Sequence, residues 1–170
     1  MADELQGRRI AILVANEGIE QVELTEPRAA LERAGARVDL LAPEAGTVQA
    51  FDHLDRADAF PVDRTTAEAS ADDYDGLMLP GGVANPDALR MREDAVALVA
   101  AFVNAGKPVA AICHAPWTLV QADAVRGRTL TSWPSLQTDV RNAGGTWVDE
   151  EVVVDDGLVT SRGPDDLPAF

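Results

Sequence analysis

Cysteine is the scarcest reactive residue in this sequence, with one copy, Cys113, among 170 residues. No disulfide can therefore form within the chain. A lone cysteine is either a small buried apolar group or a reactive thiol. Histidine occurs only as His53 and His114, so no cysteine and histidine set has a metal-ligand spacing. We predict no metal and, because glycine-rich nucleotide motifs are also missing, no cofactor.

Basic residues and long apolar runs are also scarce. The chain has 14 Lys and Arg against 29 Asp and Glu, a net charge of −15. Such a surface repels phosphate groups and anionic lipid, so we expect neither nucleic-acid nor membrane partners. No apolar stretch reaches the roughly 18 residues of a membrane span. Acidic residues precede the Arg8-Arg9 pair, unlike a secretory signal, so we expect a cytoplasmic protein.

Apolar residues make up 46% of the chain, and we expect one domain over residues 1–170. Apolar runs alternate with amphipathic segments, which predicts an α/β fold with a mostly parallel sheet. The predicted strands are 9–15, 36–43, 74–80 and 107–112, with a hairpin over 46–66 and two strands in 146–162 around the turn at 155–157. The predicted helices are 22–35, which Pro27 is expected to kink or restart, 92–106, 134–145, one opening at 115–117 and one beginning near the final residues.

Ligands bind at the carboxyl ends of parallel strands in open α/β sheets. Three loops are predicted to meet at that edge: Asn16–Gln21, Pro80–Asp87 and Cys113–Trp117. The third follows the apolar run KPVAAI and leads directly into Ala115-Pro116-Trp117, where a helix opens. A strand–nucleophile–helix turn of this kind lifts a side chain above the sheet. The helix start would favour a thiolate, so we expect Cys113 to be a nucleophile, with a packed core cysteine as the alternative.

The other candidate residues each have an ordinary structural alternative. His114 serves either as a base for the thiol or as a surface histidine. The backbone N–H groups of Gly81, Gly82 and His114 either hold an oxyanion or belong to tight turns. The acids Glu17, Glu20, Glu23 and Asp87 either exchange protons near the thiol or simply favour helix N-termini.

Four segments taken together resemble the PfpI family. They are AICHAP around Cys113, LPGG at 79–82, ANEGIEQVEL at 15–24, and SWPSLQTDVRNAGGTWVDEEVVVDDGLVTSR at 132–162, within a likeness that covers residues 9–168. The family belongs with the parkinsonism-associated deglycase and is related to class I glutamine amidotransferases. The resemblance implies a flavodoxin-like three-layer sandwich with a nucleophile elbow, and a homodimer or larger homo-oligomer.

The resemblance also implies roles for individual residues. Cys113 matches the family's nucleophile and His114 its adjacent histidine. Glu20 matches the glutamate of the thiol pocket, in a loop one residue longer here. Asp87 matches an acid that a neighbouring subunit contributes, where the family usually has Glu. The oxyanion donors are implied at Gly82, beside Gly81, and at His114, and Trp117 is expected to wall the pocket mouth.

The resemblance implies a stress-protective cysteine hydrolase that acts on small carbonyls such as methylglyoxal or on its early adducts on proteins. Two alternatives stay open. The same thiol site suits an intracellular cysteine peptidase acting on peptides. It also suits a non-enzymatic oxidative-stress sensor or holdase, because an exposed thiol beside a carboxyl oxidises readily.

Overall fold

Four apolar runs of the sequence form parallel strands at the centre of a seven-stranded sheet in the computed structural model, which describes residues 4–170. They are β1 (Arg9–Leu13), β3 (Arg37–Ala42), β7 (Gly76–Leu79) and β8 (Val109–Ile112). The strands β6 (Arg64–Thr65), β11 (Val153–Asp155) and β12 (Leu158–Ser161) complete the sheet, whose order is β11-β12-β8-β7-β1-β3-β6. Only the β11–β12 pair is antiparallel among the paired strands of this sheet.

The helices of the described residues are α1 (Gln21–Arg33), α2 (Ala84–Leu89), α3 (Glu93–Asn104), α4 (Pro116–Gln121) and α5 (Gln137–Asn142). Alternate residues of β1 enter different cores because side chains alternate across a strand. Ile12 packs in a cluster with Leu24 of α1, whereas Leu13 packs in a cluster with Phe102 of α3. Helices thus cover both faces of the sheet, and the predicted three-layer α/β sandwich is confirmed.

The smaller strands form two further sheets. The strands β2 (Glu17–Glu20), β4 (Thr47–Asp52) and β5 (Asp55–Pro61) form one of them, and β4 and β5 confirm the predicted hairpin. The strands β9 (Thr129–Leu130) and β10 (Thr146–Trp147) form the other. Three 3₁₀ turns lie at Ala71–Asp73, Pro134–Leu136 and Pro164–Asp166.

Several predicted elements differ from the structure. The loop expected at Asn16–Gln21 contains β2, because it pairs with β4 some 30 residues further along, a contact that no local pattern reveals. The helix α1 continues through Pro27, so it does not restart there. The helix predicted over 134–145 divides into a 3₁₀ turn and the short α5. The first strand predicted in 146–162 divides into β10 and β11, although the turn at 155–157 is confirmed.

The predicted helix at the final residues is also wrong, since residues 164–170 form a 3₁₀ turn and further turns. The Asp166 carboxylate there accepts hydrogen bonds from the backbone and guanidinium of Arg162. Separately, no helix among residues 4–170 combines the length and apolar character needed to cross a membrane.

The order of β8, β7 and β1 explains where the site lies. These three strands are neighbours and run in the same direction, so their carboxyl ends meet at one edge of the sheet. The β1 strand leads towards Glu17–Glu20, β7 leads to Pro80-Gly81-Gly82, and β8 leads to Cys113. The predicted convergence of three loops is confirmed.

Candidate functional site at the Cys113 elbow

Cys113 occupies a strained turn between β8 and α4. Its φ angle is 63°, in the left-handed region that residues with a side chain rarely adopt. Such a conformation costs roughly 1 kcal/mol or more and persists only where the surroundings hold it. The Cys113 N–H donates to the Ser161 carbonyl at 3.1 Å, and the Cys113 carbonyl accepts from Trp133 N–H at 2.8 Å. The predicted elbow is therefore present, and backbone hydrogen bonds hold it through both the N–H and the carbonyl of Cys113.

The sulfur lies at the bottom of a cavity of about 640 Å³. Only 6% of Cys113 is exposed, and the residue both packs in a core cluster with Ile12 and Leu24 and lines this cavity. The backbone N–H groups of Gly82 and His114 lower the pKa of the thiol, and His114 Nδ1 lies 3.2 Å from the sulfur. The cavity is further lined by Glu17, Gly18, Glu20, Glu23, Phe51, His53, Leu54, Val83, Ala84, Trp133, Pro164 and Asp165.

Glu23 is the carboxyl that contacts the thiol. Its side chain is fully buried, and Oε2 accepts a hydrogen bond from Gly81 N–H at 2.9 Å. Its Oε1 has no hydrogen-bond partner among the described residues. Burial raises the pKa of Glu23 to about 7, while the contact with Cys113 and the Gly81 N–H oppose that rise. The carboxyl therefore exchanges its proton near neutral pH.

The position of Glu23 corrects the assignment of the pocket glutamate to Glu20. Glu20 ends β2, and its carboxylate accepts from the backbone N–H of His53 at 3.1 Å, near the cavity mouth. Glu23 lies on the first turn of α1, where it and Leu24 are the buried residues of the helix. The sequence offered one signal for Glu23, namely its position next to Leu24 on the inward face of α1. An extra residue assumed in the preceding loop moved the match to Glu20.

Burial also alters the expectation for the thiol. The helix start was expected to favour a thiolate, but burial and the neighbouring Glu23 raise the pKa of the Cys113 thiol. The N–H groups of Gly82 and His114 oppose this rise. The helix behind the sulfur, α4, has only six residues, which limits its dipole. Burial and Glu23 therefore oppose the ionisation of Cys113, and the two N–H groups favour it.

Close packing at Pro80-Gly81-Gly82 requires both glycines. A Cβ at Gly81 would overlap the Glu23 carboxylate and the Cys113 side chain, and one at Gly82 would overlap the Gly18 carbonyl. The Gly81 N–H donates to Glu23 Oε2, whereas the Gly82 N–H lowers the pKa of both the Cys113 thiol and Glu23. Of the two candidate oxyanion donors in this turn, Gly82 is the one whose N–H acts on the thiol.

Asn85, which the sequence analysis did not select, holds this turn. Its side-chain amide donates to the carbonyls of Pro80 and Gly81, each at 2.9 Å, and its Oδ1 accepts from Ala15 N–H at 2.6 Å. The residue is 1% exposed. These bonds join the ends of β1 and β7, so Asn85 fixes the positions of Gly81 and Gly82. The sequence signal that could have identified Asn85 is an asparagine shortly after the glycine turn Gly81-Gly82.

His114 and the two tryptophans form one aromatic group. The imidazole stacks on Trp133 at 5.8 Å between ring centroids and meets the edge of Trp117 at 5.2 Å. Burial lowers the pKa of His114, which favours its neutral form. Trp133 lines the cavity, whereas Trp117 does not and donates its indole N–H to Asp139 at 2.9 Å. The predicted aromatic wall is therefore Trp133 rather than Trp117.

Asp87 lies apart from the other predicted residues. It is exposed on α2, does not line the cavity, and makes no side-chain hydrogen bond to His114 among the described residues. One group could hold a cation, because Glu20, Asp52 and His53 place a ligand atom each within 4.8 Å of one another. Asp52 and His53 are exposed, and this group was not among the predicted sites.

A strained cysteine above the carboxyl edge of a parallel sheet, with a buried glutamate against it, defines a class of α/β proteins with a nucleophile elbow. The chain belongs to the DJ-1/PfpI family, whose pattern matches residues 8–170. It is 44% identical over 164 residues to Protein/nucleic acid deglycase 2 of Escherichia coli, covering 96% of this chain and 93% of that protein.

Two further proteins illustrate the family. Putative cysteine protease YraA of Bacillus subtilis is 39% identical over 163 residues, with 96% of this chain and 94% of that protein covered. A crystal structure from Anabaena variabilis, of a protein with DJ-1/ThiJ/PfpI-like and ferritin-like domains, superposes with a TM-score of 0.88 at 34% identity. The match covers 94% of this chain but only 45% of that longer chain.

Proposed function

We propose that this protein is a stress-protective cysteine hydrolase that acts on small electrophilic carbonyls, namely methylglyoxal or its early adducts on proteins. The observation that carries the proposal is the contact of Cys113 with a fully buried Glu23 whose pKa is about 7. The names of the relatives agree with hydrolytic chemistry, since one is a deglycase and another a putative cysteine protease.

Glu23 and Cys113 titrate as a pair, so their protons belong to both groups together. One proton leaves the pair near pH 7. We place the remaining proton on Glu23 Oε1 and the negative charge on the sulfur. This arrangement gives Oε1 a hydrogen-bond acceptor, which it otherwise lacks, and the N–H groups of Gly82 and His114 stabilise the charged sulfur.

With methylglyoxal, the thiolate adds to the aldehyde carbon, C1. A C–S bond forms, and the π electrons move to the oxygen, which Gly82 N–H and His114 N–H stabilise and Glu23 protonates. Glu23 then removes the C1 proton, and an enediol forms as the C2 oxygen takes up a proton. Delivery of a proton to C2 and loss of the C1 hydroxyl proton then give a lactoyl thioester, so that C1 is oxidised and C2 is reduced. Water adds to the resulting lactoyl thioester, the C–S bond breaks, and lactate leaves.

We propose further that a second copy of the chain supplies Asp87 to His114, as the resemblance implied. The exposure of Asp87 on α2 and its lack of a partner within the described chain support this arrangement. A subunit-mixing experiment tests it. Cys113→Ser and Asp87→Asn variants, each weak alone, should regain activity when mixed and reassembled, because one site then holds Cys113 with an intact Asp87. No gain on mixing would contradict the proposal.

The direct test of the function is lactate production from methylglyoxal. The wild type should release lactate in a saturable reaction, and Cys113→Ala should not, with its fold checked by urea unfolding. Equal trace rates of lactate release from both proteins would contradict the proposal.

A cysteine peptidase is the second candidate, favoured by the name of the Bacillus subtilis relative. Cleavage of fluorogenic peptides by the wild type, lost in Cys113→Ser, would support it over the carbonyl reaction.

A further inference from the structure

The imidazole of His114 makes a single polar side-chain contact among residues 4–170, the 3.2 Å approach of its Nδ1 to the Cys113 sulfur. Two side-chain torsions, χ1 and χ2, are free to turn the ring away from the thiol. One contact with a sulfur atom is a weak restraint on both torsions. The residue is only 7% exposed, so the orientation of its ring depends on the side chains that pack around it.

Two indole rings enclose this imidazole from different directions. Trp133 stacks on it, with 22° between the planes, whereas Trp117 meets it at 62° with the ring centroids 5.2 Å apart. The stacked ring opposes rotation of the imidazole plane but not movement parallel to that plane. The edge contact with Trp117 opposes the parallel movement. Trp117 does not line the cavity, so it acts on the site through His114 rather than through a ligand.

The ring of Trp117 is held in turn by two other helices. Its indole N–H donates to Oδ2 of Asp139 on α5 at 2.9 Å. The guanidinium carbon of Arg90, which follows α2, lies 5.8 Å from the ring centroid. A hydrogen bond to an ionised acceptor is stronger than one between neutral groups, and a cation over an indole face adds attraction. The position of Trp117 is therefore fixed from outside its own helix.

We infer that Trp117, anchored by Asp139, is a positioning residue that keeps His114 Nδ1 beside the sulfur of Cys113. We place the imidazole proton on Nδ1, where it donates to the thiolate and makes the thiolate easier to form. The inference rests on the proposed role of Cys113 as the nucleophile and deepens it. It gives α5, which contributes no residue to the cavity lining, a part in the reactivity of the thiol.

The reactivity of the thiol can be measured without turnover, as the rate of alkylation by iodoacetamide at pH 7. Because Cys113 is the chain's single cysteine, every shift in intact mass reports this site. Asp139→Ala removes the anchor of the indole and should lower the rate about fivefold. Loss of a negative charge alone would act in the opposite direction, because a nearby carboxylate opposes thiolate formation. A rate in Asp139→Ala equal to or above that of wild type would overturn the inference.

Two matched variants separate the hydrogen bond from the charge. Asp139→Asn keeps an acceptor oxygen without the charge and should stay within about twofold of the wild-type rate. Glu151→Ala removes a carboxylate from an exposed position and should keep the wild-type rate. A fivefold loss in Asp139→Asn or in Glu151→Ala would contradict an effect that acts through the indole anchor.

A double-mutant cycle tests whether Trp117 and Asp139 act together. Trp117→Phe keeps an aromatic ring but removes the N–H, so its loss of rate should match that of Asp139→Ala. The double variant should lose no more than either single variant, because both changes remove the same hydrogen bond. Losses that multiply in the double variant would contradict the coupling.

A His114→Ala background tests whether the effect passes through the imidazole. There Trp117→Phe should change the alkylation rate by less than about 1.5-fold, because no ring is left to position. An equal loss with and without His114 would show that Trp117 only supports the elbow, and would overturn the inference. Urea unfolding checks the fold of each variant, and the exposed position of Asp139 keeps its variants available if Trp117→Phe unfolds.

Turnover of methylglyoxal is measured separately, so that the two proposals can fail independently. A fall in kcat at constant KM in Asp139→Ala supports positioning in catalysis, because Asp139 lies outside the cavity lining. A change in KM alone contradicts it. If wild type does not turn over methylglyoxal while the alkylation cycle gives the expected losses, the carbonyl hydrolase is contradicted and the positioning role stands.

Discussion

Two glutamates three residues apart show how differently one side chain behaves in two regions of this molecule. Glu23 belongs to the cavity floor, formed with Gly81, Gly82 and Cys113, where it is fully buried. Glu20 belongs to the cavity mouth, where its carboxylate faces His53 in the hairpin turn. Burial gives Glu23 a pKa near 7 and makes it a proton carrier. In the function proposed above, the floor carries the chemistry, whereas Glu20 at the mouth holds the hairpin turn.

The largest expected effect comes from removing the nucleophile of the floor. Cys113→Ala should lower kcat/KM for methylglyoxal by at least about 10³-fold, because no other group of the floor can form the C–S bond. The measurement is lactate release under single-turnover and steady-state conditions. Substantial residual activity in Cys113→Ala would show that Cys113 is not the nucleophile.

The next effect is on stability and follows from Glu23. Its pKa rises from an ordinary 4.5 to about 7, so the folded state binds its proton more tightly than the unfolded state. This contribution is complete below pH 4.5 and is lost as pH rises through 7, amounting to about 3 kcal/mol. Urea unfolding at pH 5 and pH 8 should show this loss in wild type but not in Glu23→Gln. Parallel pH profiles for the two proteins would refute it.

The same two glutamates should separate in catalysis. Glu23→Gln keeps an acceptor for Gly81 N–H but cannot move a proton, so kcat should fall about 100-fold. Glu20→Gln should change kcat for uncharged methylglyoxal less than about threefold, a value typical of a group that does not exchange the proton. Steady-state kinetics measure both variants. A larger loss from Glu20→Gln would reverse the comparison between floor and mouth.

The smallest effect concerns the support beneath the floor. Asn85→Ala leaves the Pro80 and Gly81 carbonyls and the Ala15 N–H without their side-chain partner, which should lower the free energy of unfolding by about 2 kcal/mol. The exposed Asn142, changed to alanine, is the matched control and should have almost no effect. Urea unfolding measures the free energy of unfolding of both variants. Equal decreases in the two variants would contradict a positioning role for Asn85.

The fold was largely predictable from the sequence because its signals are local. Continuous apolar runs predicted β1, β7 and β8, and the glycine and proline positions predicted the turns that follow them. What sequence reasoning missed depends on contacts between distant residues. The strand β2 exists through its pairing with β4, and the short strands β9 and β10 exist through each other.

The site was predictable in its centre but not in its surroundings. The apolar run ending at Cys113, followed by a helix start, marked the elbow correctly. The partner carboxyl was placed three residues too early, at Glu20 in β2, because an extra residue was assumed in the loop before α1. Trp133 and Asn85 were missed because their proximity to the thiol depends on how separate loops meet.

The pH dependence of Cys113 alkylation tests the central claim that the thiol ionises jointly with Glu23. The rate of modification by iodoacetamide is measured from pH 5 to pH 10 in wild type and in Glu23→Gln. In our proposal the pair loses one proton near pH 7 and keeps the other on Glu23, which donates it to the thiolate, so we predict a midpoint near pH 7 in wild type. In the variant the buried thiol has no carboxyl to share a proton with, and we predict a midpoint at least about one unit higher. A midpoint near about 8.5 in both proteins, as for an ordinary free cysteine, would contradict the account.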